Sequence, residues 1–537
     1  MMKGDLLISS MMERAERFFP KKEVVSRTSS GIQRFTYEEI GKRTRQLADR
    51  LTTFGIERGD RIGTLAWNHH RHLELYFAIP GIGSVLHTIN IRLSPEHIVY
   101  IINHAEDEMI FVDDDVFPLI EAVHDKLRTV KAFIVMTDHE LPSTKVPNVY
   151  SYEEWIRTGD ESFEYPKDID EQEPAGMCFT SATTGNPKGV EYTHRSTVLH
   201  SMGLAFADTV AASESDVVMP VVPMFHVNAW GMPFIATWLG ATQVMPGPRF
   251  TPQVLAELIQ DEEVTMTAGV PTIWLGLLKE LEENNYRTDS LRAVVCGGSA
   301  APLSMIKTFE QKYNVPFLHA YGMTETSPLA TVSRLKSYQE DLPEEERFNI
   351  RAKQGMLVPG LEMKVVGGQG EVKWNDEDMG ELLLRGPWIA DDYFKDDRGE
   401  ETFIDGWLHT GDVCTVDEEG VIKIVDRTKD LIKSGGEWIS SVDLENAIMA
   451  HEKVFEASVV SIPDPKWQER PVACVVMKDG VEDLSKEELL AFLKPQFAEF
   501  WLPDDVLIME EIPKTSVGKF LKRALRDQVK EHYEITE

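Results

Sequence analysis

Phe179-Thr180-Ser181-Ala182-Thr183-Thr184-Gly185-Asn186-Pro187-Lys188-Gly189-Val190 is the stretch from which the rest of the chain can be read. The apolar residues Ala175, Met177, Cys178 and Phe179 lead into it, as a buried strand would. Hydroxyls and a glycine follow, then one lysine. A strand that opens into such a turn offers backbone N–H groups, hydroxyls and a cation, which suits a polyphosphate. It is not the P-loop pattern, which needs Gly, four residues and Gly-Lys-Ser/Thr. A Ser/Thr/Gly-rich surface turn is the plainer alternative.

The chain has 537 residues, too many for one hydrophobic core, so several domains are expected. A net charge of −34 argues against non-specific binding to nucleic acid or anionic lipid, but it leaves room for a local basic site. Cys178, Cys296, Cys414 and Cys474 are scattered and form no CxxC pair. They read as small buried hydrophobes in a reducing compartment. No signal-peptide core or uncharged run of spanning length is present, so a cytoplasmic protein is expected.

Periodicity predicts helices over Thr36–Phe54, His72–Gly81, Ser94–Asn103 and Ser196–Thr209. Strands are predicted over 61–66, 109–112, 132–136 and 217–220. Alternating strands and helices indicate an α/β architecture with largely parallel sheets. Segments ending at Pro223, Gly269, Gly297-Gly298 and Tyr321-Gly322 each pass from apolar residues into a turn. Ligands bind beyond the carboxyl ends of such strands, so these loops should converge. The charged segment 337–347 reads as an exposed loop. Short alternating strands over 361–384 suggest a β subdomain. The histidines of Asn68-His69-His70-Arg71-His72 do not share a helical face and have no carboxylate spaced to complete a metal site.

Thr180–Gly189, Tyr321-Gly322-Met323-Thr324-Glu325, Thr410-Gly411-Asp412, Asp426-Arg427-Thr428-Lys429-Asp430 and Pro513-Lys514-Thr515-Ser516-Val517-Gly518-Lys519 occur in that order. Together they resemble the adenylate-forming superfamily of acyl-CoA synthetases, luciferases and peptide-synthetase adenylation domains, over nearly the whole chain. Pro223–Trp230 and Gly435–Ser440 resemble most the bacterial medium- and long-chain fatty acyl-CoA synthetases.

The resemblance implies a large N-terminal α/β domain with a β subdomain (1–428) and a small mobile C-terminal α+β domain (429–537), hinged near 426–430. It implies ATP-dependent conversion of a fatty acid to acyl-AMP and pyrophosphate, then transfer to coenzyme A. Expected partners are a carboxylic acid, ATP, CoA and Mg²⁺, with homodimerisation left open. A CoA ligase for a short or sulfur-containing acid is the alternative. An acyl-AMP ligase serving a carrier protein and a silent nucleotide-binding scaffold are further readings. Neither a carrier-like segment nor the loss of Glu325, Asp412, Arg427 or Lys519 supports these last two.

Residue roles follow from the same resemblance. Thr180, Ser181, Thr183, Thr184, Gly185 and Lys188 would hold the β- and γ-phosphates. Thr180 and Glu325 would bind the metal, and Thr324, Glu325, Lys188 and Lys519 would serve catalysis. Tyr321 would stack on adenine, with Gly298, Ser299, His319, Ala320 and Gly322 lining the base pocket. Asp412 and Arg427 would take the ribose. Lys429 would be the hinge, with Gly435, Gly436 and Glu437 on the CoA path and Lys433 and Trp438 near the nucleotide or CoA.

His226, Val227, Trp230 and Gly298 would form the acid pocket, with Asn228, Ala229, Gly231, Gly297 and Ser299 as further candidates. His226 stands where amino-acid-activating relatives carry an acid, which favours an uncharged tail. Trp230 either gates an acyl tunnel or packs as a core aromatic. Ala182 stands in place of the usual glycine. His319-Ala320 replaces the usual Gln/Asn-Gly, so the imidazole is the only side chain there that could replace an amide against adenine.

Overall fold

The computed structural model describes residues 2, 4–180, 186–435, 437–481, 483–515 and 518–533. Its first sheet has seven strands in the order 149–151, 132–136, 107–113, 61–65, 85–88, 174–179 and 189–193. All neighbours are parallel except the last pair, an antiparallel hairpin with Phe179 opposite Gly189. The strands that flank the hydroxyl-rich stretch therefore pair with each other at the sheet edge, and the chain beyond it rejoins the sheet before the next helix.

The second sheet has nine strands, ordered 356–357, 329–332, 317–322, 293–296, 266–269, 217–220, 242–245, 23–28 and 31–36. Its interior is parallel and its two ends antiparallel. Parallel strands buried on both faces read as continuous apolar runs, as Ala293–Cys296 does.

Between these sheets lies the helix His70–Gly81, every residue of which is buried. It starts two residues earlier than predicted, because His69 caps it by accepting from the His72 amide. Each polar side chain on it has a partner from elsewhere, as burial demands. His70 Nδ1 lies 3.1 Å from Ser26 Oγ, and His72 Nε2 lies 3.0 Å from Thr64 Oγ1. Glu74 receives Arg43 Nε at 2.6 Å, and Arg71 Nε donates to Glu153 at 2.7 Å. His69 is paired with Asp113, 2.7 Å away, so a carboxylate does meet the histidine run, from a strand distant in sequence. No group of three potential ligands forms a metal site among the described residues.

A six-stranded antiparallel sheet (362–367, 370–371, 380–385, 403–404, 407–416 and 422–427) forms the β subdomain. The segment expected as a loop before it contains the helix Glu344–Ala352. Pro343 precedes it, Glu344–Glu346 fill its first turn and Arg351 its last, all favourable to the helix dipole, and Phe348 anchors it. The helix predicted over 196–209 runs from His194 to Ala205, with Thr193 and Ser196 capping each other. Residues 432–508 build a fourth, five-stranded sheet, flanked by the helices Ser441–Met449, Lys486–Leu493 and Lys522–His532. All four cysteines are buried and unpaired, and no helix among the described residues is long and apolar enough to cross a membrane.

Candidate active site

Strand ends of the nine-stranded sheet, the hairpin mouth and the β subdomain enclose a cavity of about 510 Å³. At one end stand Thr180, Asn186 and Lys188. The Thr180 amide donates to the Lys188 carbonyl at 2.9 Å, and the Lys188 amide to Thr180 Oγ1 at 3.1 Å, which stitches the hairpin closed below its tip. Ser181, Ala182, Thr183, Thr184 and Gly185 lie outside the described residues. Lys188 Nζ sits 3.9 Å from the centre of the Tyr393 ring, a cation–π contact. Burial pulls this ammonium below the usual lysine range, and Glu325 opposes that shift.

Glu325 is buried on the short 3-10 turn Thr324–Thr326. Tyr393 Oη donates to Glu325 Oε1 at 2.6 Å, and Tyr192 Oη donates to the Thr324 carbonyl at 2.8 Å. A buried carboxylate beside a cation, at the mouth of a hydroxyl-rich turn, is a hard oxygen ligand of the kind Mg²⁺ accepts alongside phosphates.

Arg427 lines the same cavity, and Asp412, its cross-strand partner in the antiparallel register, lines the adjoining cleft. Arg427 Nε reaches Asp412 Oδ1 at 3.1 Å, and Tyr321 Oη donates to Asp412 Oδ2 at 2.5 Å. This triad holds the Asp412 carboxylate between a guanidinium and a phenol. Gly322 permits the bend after Tyr321: a Cβ there would fall 1.8 Å from the Pro328 carbonyl oxygen. Gly298 has φ +84°, and a Cβ on it would lie 3.1 Å from Lys519 Cε. Gly298, Ala320, Tyr321 and Gly322 line this cavity, whereas Ser299 and His319 line the adjoining cleft. His319 is spent on backbone. Its Nδ1 lies 3.0 Å from the Ala352 carbonyl, and its Nε2 accepts from the Ala301 amide at 3.4 Å. The imidazole therefore does not stand in for a side-chain amide against adenine.

Lys519 reaches the middle of the cavity from the C-terminal segment. Thr515 Oγ1 accepts from its amide at 3.1 Å, and Thr272 Oγ1 donates to the Gly518 carbonyl at 3.4 Å. Burial brings its ammonium down to about 8. Arg427 adds to that shift, while Asp412 and Glu325 oppose it. Lys429 lines both the cavity and the cleft.

His226, Val227 and Trp230 line the remaining end, together with Leu204, Val210, Met232, Val295 and Leu329. Burial, helped by the Lys519 charge, brings His226 down to about 3, so its imidazole is neutral. Val227, Asn228, Ala229 and Trp230 have φ of 44°, 54°, 48° and 58°, and Gly231 has 76°. A left-handed turn of non-glycine residues costs about 1–2 kcal/mol each, strain of the kind that functional sites hold. It sets the Trp230 ring against Gly297, where a Cβ would lie 3.2 Å from Cη2. The ring is half-buried and forms part of the cavity wall.

Among the described residues expected at the site, Lys433, Gly435, Glu437 and Trp438 do not line this cavity, nor do Asn228, Ala229, Gly231, Ser299, His319 and Asp412. Lys433 lies 5.5 Å from the centre of the Trp438 ring, and Trp438 lines a separate pocket with Leu431 and Trp501. Gly435 donates its N–H to the Trp467 carbonyl at 2.7 Å, Glu437 is exposed, and Gly436 lies outside the described residues. The strands Ile432–Ser434 and Glu437–Ile439 form a hairpin of the C-terminal sheet. Sequence reasoning missed Tyr393, Arg398 and the apolar wall. Leu204, Val210 and Val295 sit in ordinary amphipathic or apolar runs, where nothing separates a cavity wall from core.

The AMP-binding enzyme family matches residues 12–394, and the AMP-binding enzyme C-terminal domain matches residues 443–519. The chain is 49% identical to a long-chain-fatty-acid–CoA ligase of Thermus thermophilus, covering 99% of this chain and 97% of that protein. It is 46% identical to a 3-methylmercaptopropionyl-CoA ligase of Ruegeria lacuscaerulensis, covering 99% and 98%. It is 44% identical to a medium-chain-fatty-acid–CoA ligase of Ectopseudomonas oleovorans, covering 98% and 97%. The fold is that of the anthranilate CoA ligase AuaEII solved with anthranoyl-AMP, with a TM-score of 0.90 over 99% of both chains at 23% identity. The chain belongs to the AMP-binding enzyme family, among its AMP-forming acid–thiol ligases.

Proposed function

We propose that this ligase activates a medium- to long-chain fatty acid. The observation that carries this reading is the apolar end of the cavity. The lining brings together Lys519, neutral His226, Trp230 and the apolar side chains Leu204, Val210, Met232, Val295 and Leu329. An acid with its carboxylate at Lys519 would lay an uncharged tail along that wall. The carboxylate oxygen attacks the α-phosphorus of ATP, the bond to the β-phosphate oxygen breaks, and pyrophosphate leaves with the electron pair. The CoA sulfur then attacks the acyl carbon and AMP departs.

Positioning and charge neutralisation dominate such chemistry. In this reading Lys188 and the hydroxyls around Thr180 hold the terminal phosphates, and Tyr321 stacks on adenine beside Gly298 and Ala320. Asp412 and Arg427 grip the ribose, and Lys519 bridges the attacking carboxylate and the α-phosphate. Glu325 and Thr180 would hold Mg²⁺, which, when bound, neutralises phosphate charge. The few protein oxygens there suit a metal that takes most of its ligands from phosphates and water.

The C-terminal unit is proposed to hinge at Lys429, within 426–430. Rotation would withdraw Lys519 and bring Lys433, Gly435, Gly436, Glu437 and Trp438 toward the nucleotide and CoA. Cytoplasmic action belongs to the same reading, and light scattering decides between monomer and homodimer.

Acid-dependent pyrophosphate release and CoA-dependent AMP formation, measured from acetate to palmitate, test the substrate. The kcat/KM should rise with chain length through the medium-chain acids, because each buried methylene adds about 0.8 kcal/mol of binding. The Ruegeria relative supports a second reading, 3-methylmercaptopropionate, which belongs in the same panel. A maximum there, or at acetate, removes the fatty-acid reading.

Lys519 acts as a cation, and the free enzyme holds its ammonium at about 8. It is charged below that pH and loses its proton above it. The kcat/KM for ATP in acyl-AMP formation should therefore be level at neutral pH and fall about tenfold per unit above about 8. Lys519→Arg, always charged, should remove that limb while lowering the plateau. An alkaline limb that persists in the arginine variant assigns the titration elsewhere.

A further inference from the structure

Arg398 is a second cation, beside Lys188, among the residues that line the cavity, on the short turn Asp397–Gly399 and outside every motif described above. Asp396 caps that turn, accepting from the Arg398 amide at 3.0 Å and from Arg398 Nε at 2.8 Å. Arg398 Nη2 also binds Asp396, and Nη1 donates to the Asn186 carbonyl at 3.1 Å. Asn186 lies just beyond the hydroxyl-rich hairpin tip. One edge of the fork thus holds Asp396, and Nη1 ties the side chain to the backbone at Asn186, ahead of the strand Gly189–Thr193.

A guanidinium carries five N–H donors in a fixed plane. Three are accounted for by these contacts among the described residues. One on Nη1 and one on Nη2 remain, and the side chain lines the same cavity as Lys188, Thr180 and Glu325. Its charge acts on Lys188, pulling that ammonium down. The structure therefore holds two like charges together, with Glu325 and Asp396 as the acids beside them. Such repulsion is relieved when a polyanion enters between them. Donors on two nitrogens of one planar guanidinium suit phosphate oxygens.

We propose that Arg398 is a pyrophosphate-binding residue. It takes the terminal phosphate of ATP through its two remaining N–H groups and, with Lys188, holds the pyrophosphate as it departs. The proposal rests on the acyl-AMP reading for its place in catalysis, but not for its binding test.

Binding of inorganic pyrophosphate, ATP and AMP to wild type, Arg398→Gln and Arg398→Lys is measured by titration calorimetry. Alongside it, KM for ATP and product inhibition by pyrophosphate are measured with the best acid. Arg398→Gln should weaken pyrophosphate and ATP by about tenfold, the worth of one charge-assisted contact, and leave AMP unchanged. Arg398→Lys should recover part of the loss, since it restores charge without the fork. Conversion of supplied acyl-AMP with CoA should not change.

Pyrophosphate affinity of Arg398→Gln within about twofold of wild type overturns the proposal. So does an equal loss of AMP, which would mark Arg398 as a structural clasp on the hairpin alone. If wild type forms acyl-AMP with no acid, the fatty-acid reading fails while the binding arms still decide the role of Arg398.

Discussion

Lys519→Ala should lower the rate of acyl-AMP formation by about 10²–10³-fold, the range for removing one preorganised donor from a developing negative charge. The ammonium enters the cavity from a loop held by Thr515 and Thr272, and its methylenes rest against Gly298. Truncation leaves a gap on a cleft that already holds solvent-accessible space, so the melting temperature should stay close to wild type. Acyl-AMP supplied to the variant should still be converted to acyl-CoA, since Lys519 would have moved away by then. ATP–pyrophosphate exchange and the isolated thioester step, measured side by side, check this. Loss of both steps would sink the alternation of the C-terminal unit.

Glu325→Gln should cost about 10²-fold or more in kcat/KM for ATP, with a steeper requirement for Mg²⁺. Glutamine preserves shape and can still accept from Tyr393 Oη, now 2.6 Å from Oε1. Only the charge is lost. Two consequences follow in the same direction. A hard anionic ligand is gone, and Lys188 loses the carboxylate that opposes its fall in pKa. Exchange rates measured over a range of Mg²⁺ should show an optimum shifted upward. An unchanged Mg²⁺ dependence with normal exchange removes Glu325 from the proposed metal site.

Much of this molecule follows from local sequence, because local physics dictates it. The parallel sheets follow from apolar runs such as Ala293–Cys296. The meeting of strand ends follows from glycines that only a bend can use, as at Gly322, where any side chain would strike the Pro328 carbonyl. The neutral acid end is readable in His226, which stands where an acidic residue would otherwise pair with an amine. Helix boundaries followed their caps, and the misplaced ones were those whose cap lay outside the apolar pattern, as at His69 and Thr193.

Long-range pairing decided the rest. Asp412 and Arg427 carry no mark of partnership in the chain. The antiparallel register sets them opposite, and Tyr321 completes the clamp from another sheet. His319 looked available for a base contact until the fold closed both its nitrogens onto backbone. Nothing in the local sequence marks Arg398, and only folding sets its guanidinium against Asn186, in the cavity that Lys188 also lines. Lys433 and Trp438 resemble site residues in sequence, yet neither lines the cavity in this arrangement. Sequence by itself determined which hydroxyls, cations, carboxylates and apolar side chains the protein has. Only tertiary structure decided which of them meet, because register and sheet packing bring together residues that local spacing leaves unrelated.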